Sequence, residues 1–165
     1  MPAAPTALVS MLEPWANFYG DSSLAQTVVT FAHVCGLLVG GGMAIAADRT
    51  TLRMTSDVDR RRHLLEVAQL HRLVIAALGA VILSGALLLA ADLETYWGAP
   101  LYWMKMALVA LLLANGGRMR SVERAAAKDA VPSAAHWSAF RGTAITSIAL
   151  WLAVTLLGVA LINYA

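Results

Sequence analysis

The feature that most constrains this chain is an unbroken apolar stretch at residues 24–47, LAQTVVTFAHVCGLLVGGGMAIAA, which carries no charged side chain. As an α-helix it is about 36 Å long, because each residue adds ~1.5 Å, and the hydrocarbon core of a bilayer is only ~30 Å thick. Inside lipid every backbone polar group needs an internal partner, which a helix supplies. We therefore predict a tilted transmembrane helix.

The rest of the chain predicts more helices of this kind. With 59% hydrophobic and 13% charged residues, and a mean hydropathy of +0.68, its 165 residues are too apolar for an ordinary soluble domain. Segments 73–91 and 142–165 are also uncharged, whereas segment 101–117 contains Lys105 and Asn115. We predict an all-α integral membrane four-helix bundle, with an outer interfacial segment at 1–23 and one transmembrane domain at 24–165.

The basic residues predict the orientation. Loop 48–72 contains six arginines, segment 118–141 contains five basic residues, and the twelfth is Lys105. Short loops rich in Lys and Arg stay in the cytoplasm, so both loops, with short helical extensions such as 57–70, are expected inside. Both termini are then periplasmic or extracellular, in a bacterial inner membrane. The sequence pI of about 9.0 does not indicate nucleic-acid binding, because the basic residues are sorted by membrane side.

His33 is the histidine that lies well inside a predicted span, and intramembrane ionisable residues are candidates for function. It lies roughly 14 Å below the outer surface, close to the depth of Lys105. Two interpretations are open: a hydrogen bond to a neighbouring helix, or ligation of a haem iron. His71 lies some ~15 Å deeper, so it cannot share a haem with His33 in one chain. Met104, Met106 or a second copy's His33 would complete the coordination.

Lys105 also needs an explanation, because a charged amine in a span costs on the order of 3 kcal/mol. Its stem can extend outward to Asp92 or Glu94. Alternatively, the amine holds an anionic group such as a haem propionate or a lipid phosphate.

Small residues recur every four positions along the first span, and such a face allows close helix packing through van der Waals contact. The second span repeats the pattern. The sequence therefore predicts packing faces that serve this chain, a second copy or another membrane protein. The residues are Ala32, Gly36, Gly40 and Ala44 in the first span, and Ala76, Ala80 and Ser84 in the second.

The segments FAHVCGLLVGGGMAIAADRTTLR, VILSGALLL and YWMKMALVALLLANGG resemble four-helix bacterial inner-membrane proteins of uncharacterised function, distantly similar to the copper-resistance D membrane domain. The layout also resembles HemJ-type protoporphyrinogen oxidase over roughly residues 24–120. That resemblance implies a haem-associated histidine at His33, an arginine at Arg49 or Arg53, and a lysine at Lys105.

Two classes of function follow. The first is a non-catalytic accessory or interaction subunit that packs against another membrane protein or itself within the lipid bilayer. The second is a haem b-binding redox protein or a HemJ-like porphyrin-handling enzyme that uses His33, Lys105 and Met104. A transporter is a weaker third reading, because four spans would need dimerisation to enclose a path. The sequence assigns no catalytic residue.

Overall fold

The computed structural model describes residues 4–54, 57–126 and 133–164, and side chains within these ranges except at 57–69 and 126. The described residues form helices joined by short connections and contain no strand. In chain order the helices are α1 (Thr6–Asp21), α2 (Ser23–Arg53), α3 (Asp57–Ala91), α4 (Leu93–Gly98), α5 (Pro100–Ala126) and α6 (Ala134–Tyr164).

Helix-capping contacts fix the sharp changes of direction at the end of the bundle where α1 meets α2 and where the 92–100 turn lies. The Ser22 hydroxyl accepts a hydrogen bond from the backbone N–H of Ala25, which caps α2. The Gln26 amide donates to the last carbonyls of α1, which otherwise lack helical partners. Asp92 caps α4, and Pro100 opens α5 at a position where its missing N–H costs nothing. The predicted turn at 92–100 therefore contains a short helix.

Three helical segments are long and apolar enough to cross a membrane: Ser23–Arg53, Leu70–Ala91 and Ala134–Tyr164. The all-helical, membrane character of the chain is thus supported. Helix α5 is less apolar, because Lys105 and Asn115 lie within it, so its place as a fourth span stays a prediction. The extension predicted at 57–70 is the first part of α3, and its side chains at 57–69 lie outside the described residues.

The four long helices pack in the order α3, α2, α6, α5, each against the next, while α3 and α5 make little direct contact. The bundle is therefore open on its α3–α5 side. Helix α1 lies against the first part of α2 and the last part of α3, where the Trp15 indole donates to the Leu87 carbonyl at 2.9 Å. The described residues of the 1–23 segment are thus largely a helix folded onto the bundle.

A compact apolar cluster joins α2, α5 and α6 near the ends that carry Arg53, Arg124 and Arg141. These basic residues therefore lie at one end of the bundle. The buried members are Met119, Trp137, Phe140 and Ala144, with Ala47, Leu52, Met54 and Val122 packed around them. Large apolar side chains elsewhere on the long helices point outward, as expected for a lipid-facing surface: Phe31, Leu38, Leu83, Leu152 and Leu156 are examples.

Candidate functional site

The structure brings His33 of α2 against α3. The imidazole Nδ1 lies 3.0 Å from the Ser84 hydroxyl oxygen, and the imidazole packs so tightly on Gly85 that a Cβ there would lie 3.2 Å from its Cε1. This is the inter-helix hydrogen bond that the sequence left as one of two interpretations for His33. This hydrogen bond does not exclude ligation of a haem iron, because the second ring nitrogen of His33, Nε2, could bind the iron.

The hydrogen bonds of Ser84 favour a proton on the Nδ1 of His33. The Ser84 hydroxyl donates to the Ala80 carbonyl at 2.6 Å, within its own helix, so its single proton is already used. Its oxygen then accepts from Nδ1–H of His33. In the neutral imidazole this leaves the Nε2 lone pair unprotonated and able to accept a hydrogen bond or to bind a metal ion.

Lys105 lies on α5, within electrostatic range of His33. Its ammonium nitrogen is directed at α6, 3.5 Å from the point where a Gly158 Cβ would be. Among the described residues, neither Asp92 nor Glu94 lies within 4.0 Å of this nitrogen. The amine therefore extends along a glycine of α6 instead of reaching Asp92 or Glu94. We call His33 and Lys105 the outer pair and name the second site below the inner cavity, after the topology that the sequence predicts.

The fit of a haem to the outer pair is mixed. The donor chemistry is suitable, because Nε2 of His33 is left unprotonated by the bond to Ser84. The space is less suitable, since His33 lines neither the cavity near Asp48 nor the smaller one beside Asp92. Met104 is 55% exposed on α5. The described residues of one chain therefore show no cavity at His33 that would hold a porphyrin.

The small-residue face of α2 is used within the chain. A Cβ at Gly36 would lie 2.6 Å from Val81 Cγ2 and 3.0 Å from the Ala77 carbonyl oxygen, and one at Gly40 would lie 3.1 Å from the Ala77 Cβ. Ala32 and Ala44 follow the same spacing. Since α3 occupies this face, a partner protein would have to contact other surfaces.

A second candidate site lies toward the Arg-bearing end, on the open α3–α5 side. A cavity of about 430 Å³ lies there, which we call the inner cavity. Its size falls within the range of small-molecule sites in proteins. Helices α3 and α5 provide its two side walls, and α2 and α6 provide its floor. Apolar side chains form most of the lining, including Val74, Leu78, Ile82, Leu112 and Trp151.

Asp48 is the most unusual residue of the inner cavity. It is only 3% exposed, it lines the cavity, and its Oδ2 atom is fully buried without a hydrogen-bond partner among the described residues. The hydroxyl of Ser147 lies close to the carboxyl group from α6, and His71 interacts with its charge from α3. A buried carboxylate oxygen without a partner is costly, so it indicates a site for a donor.

Other polar groups of the inner cavity are already paired. The His71 Nδ1 lies 3.0 Å from the Glu123 Oε2, which joins α3 to α5 across the open side. The Asn115 amide donates to the backbone carbonyl of Thr143 at 3.0 Å. Arg120 lies at the exposed edge. Asp48 therefore presents the buried, uncompensated oxygen.

The sequence interpretation did not select Asp48, because it treated this residue as the start of a basic loop. A usable signal was present: the four-residue spacing of Gly36, Gly40 and Ala44 continues to position 48. Asp48, four positions after Ala44, therefore lies on the face of α2 that packs inside the bundle. Comparisons with protein-family models, curated proteins and solved structures gave no match.

Proposed function

We propose that the chain is a non-catalytic accessory protein of a bacterial inner membrane, and that it binds a small lipophilic molecule in the inner cavity. The observation that carries this proposal is the open side of the bundle, where α3 and α5 remain apart and an apolar-walled space of about 430 Å³ faces outward between them. A guest could enter that space from the bilayer without disturbing the packed side of the bundle.

The proposed topology has four spans, with both termini outside and the inner cavity toward the cytoplasm. It is supported by the three apolar helices and by the shared position of Arg53, Arg124 and Arg141 at one end. Reporter domains fused separately to the N- and C-terminus test it. We expect a periplasmic reporter to be active, and a cytoplasmic reporter inactive, at both termini. The opposite result at either terminus would contradict the topology.

Quenching of tryptophan fluorescence tests the binding function, because Trp151 lines the inner cavity. Purified protein in lipid nanodiscs is titrated with 4-bromobenzyl alcohol, whose bromine quenches nearby indoles. We expect saturable quenching, and we expect Gly116→Leu to abolish it by filling the cavity, since a Cβ at Gly116 meets open space. Gly42→Leu is the matched control, because Gly42 also has open space but does not line the cavity. Equal quenching in both variants would refute the proposal.

The accessory role also predicts a partner, either another membrane protein or a second copy. Because α3 covers the small-residue face of α2, docking would use lipid-facing side chains such as Phe31 and Leu38. Native electrophoresis of gently solubilised membranes tests this. We expect a band larger than the monomer, which Phe31→Ala with Leu38→Ala shifts to monomer size, whereas a monomer band for the unaltered chain would contradict the role.

Haem binding is the second candidate, favoured by the unprotonated Nε2 of His33. Since the described residues of one chain show no cavity there that would hold a porphyrin, the proposal requires a haem held between two copies. An absorption spectrum of the purified protein tests it. A Soret band that is lost in His33→Ala supports this candidate, and a colourless preparation from haem-replete cells contradicts it.

A further inference from the structure

The walls and floor of the inner cavity differ in character. The side walls from α3 and α5 are mainly aliphatic, with Val74, Leu78 and Leu112 facing the cavity. The floor carries the Asp48 carboxyl group beside Ser147. A molecule that fills this cavity therefore places an apolar body between α3 and α5 and meets a carboxylate at its deep end.

Of the charged groups that line the cavity, the buried carboxylate of Asp48 lacks an oppositely charged partner among the described residues. The His71 Nδ1 lies 3.0 Å from the Glu123 Oε2, so these two groups contact each other. Arg120 lies at the edge, where water screens its charge. Among the described residues no cation lies within 4.0 Å of Asp48. A buried ion without a partner is strongly destabilising, so the carboxylate requires either a bound proton or a positively charged guest.

We propose that the inner cavity binds a free organic ammonium compound, with its N–H groups bonded to the carboxyl group of Asp48 and its apolar body between α3 and α5. This inference rests on the proposed binding function and adds the chemical class of the guest. A primary ammonium supplies the counter-charge that this carboxyl group lacks among the described residues, and a charge-assisted hydrogen bond in a water-poor site is stronger than a neutral one.

Two probes of nearly equal shape separate charge recognition from simple cavity filling. Nanodiscs made only of anionic lipid, which carries no ammonium group, are titrated with 4-bromobenzylamine and with 4-bromobenzyl alcohol, and tryptophan quenching is measured. Partition of the amine into anionic lipid is corrected with the cavity-filled Gly116→Leu protein. We expect the amine to bind at least tenfold more tightly than the alcohol. In Asp48→Asn this preference should vanish through a roughly 10- to 100-fold loss of amine affinity.

Glu94→Gln is the control, because it removes an exposed carboxylate on the far side of the membrane and should leave both affinities unchanged. Equal binding of amine and alcohol, unaffected by Asp48→Asn, would overturn the ammonium proposal while leaving the binding function intact. Loss of binding for both probes in the unaltered protein would overturn both. Displacement of the amine by added phosphatidylethanolamine would overturn the free amine in favour of a lipid headgroup.

Discussion

Gly36→Ala tests the packing on which the whole arrangement depends. The new methyl group would lie 2.6 Å from Val81 Cγ2, about 0.8 Å inside the shortest ordinary contact, and 3.0 Å from the Ala77 carbonyl oxygen. Val81 has little freedom to rotate within a helix, and the carbonyl belongs to the backbone, so α2 and α3 must separate. Overpacking of this kind costs ~1–3 kcal/mol. Gly42→Ala is the matched control, because a Cβ there meets nothing within 4 Å.

Both substitutions gain about 1 kcal/mol of helix propensity, so the difference between the two variants isolates the clash. We expect Gly36→Ala to be less stable than Gly42→Ala by ~1–3 kcal/mol, or roughly 2–12 °C in thermal midpoint for a chain of this size. Circular dichroism of both proteins in the same detergent, during SDS titration and during heating, measures this difference. Adding Val81→Ala should restore part of the loss. Equal stability of the two alanine variants would refute the close α2–α3 approach.

Three further predictions concern polar contacts. Asn115→Ala should lower the free energy of unfolding by ~1–3 kcal/mol in SDS titration, because a buried carbonyl of α6 loses its donor; no change would contradict this bond. A double-mutant cycle of His71→Phe and Glu123→Gln should give a coupling energy of about 1 kcal/mol, whereas additive effects would show that the pair is not formed. Ser84→Ala should shift His33 away from the Nδ1–H tautomer in ¹⁵N NMR spectra, and an unchanged tautomer would exclude the proposed proton arrangement.

The helical, membrane character of the chain could be predicted because it depends on long uncharged segments such as 24–47, and any such segment must satisfy its own backbone in lipid. That His33 and Lys105 share a depth in the membrane stays a prediction, drawn from the residue count along two helices. The open α3–α5 side could not be predicted. Which neighbouring helices touch depends on the crossing angles of the whole bundle, and hydropathy does not encode them.

The inner site was missed for a related reason. Asp48 lies beside Arg49, and a charged pair at the end of an apolar stretch is normally a solvated helix end. Whether it faces water or protein depends on rotation about the axis of α2. The contacts of Gly36 and Gly40 with α3 fix that rotation, and they direct Asp48 into the bundle. The small residues of α2 therefore determine where the Asp48 carboxylate lies, four positions beyond Ala44.

Between the outer pair and the inner cavity lies a tightly packed layer. A Cβ at Gly41 would lie 3.0 Å from the Trp151 ring, one at Gly36 would meet α3 at 2.6 Å, and the Trp151 side chain is 4% exposed. Space that does not admit a methyl group does not admit a hydrated ion, so the contacts of α2 with α3 and α6 separate His33 from Asp48 along α2.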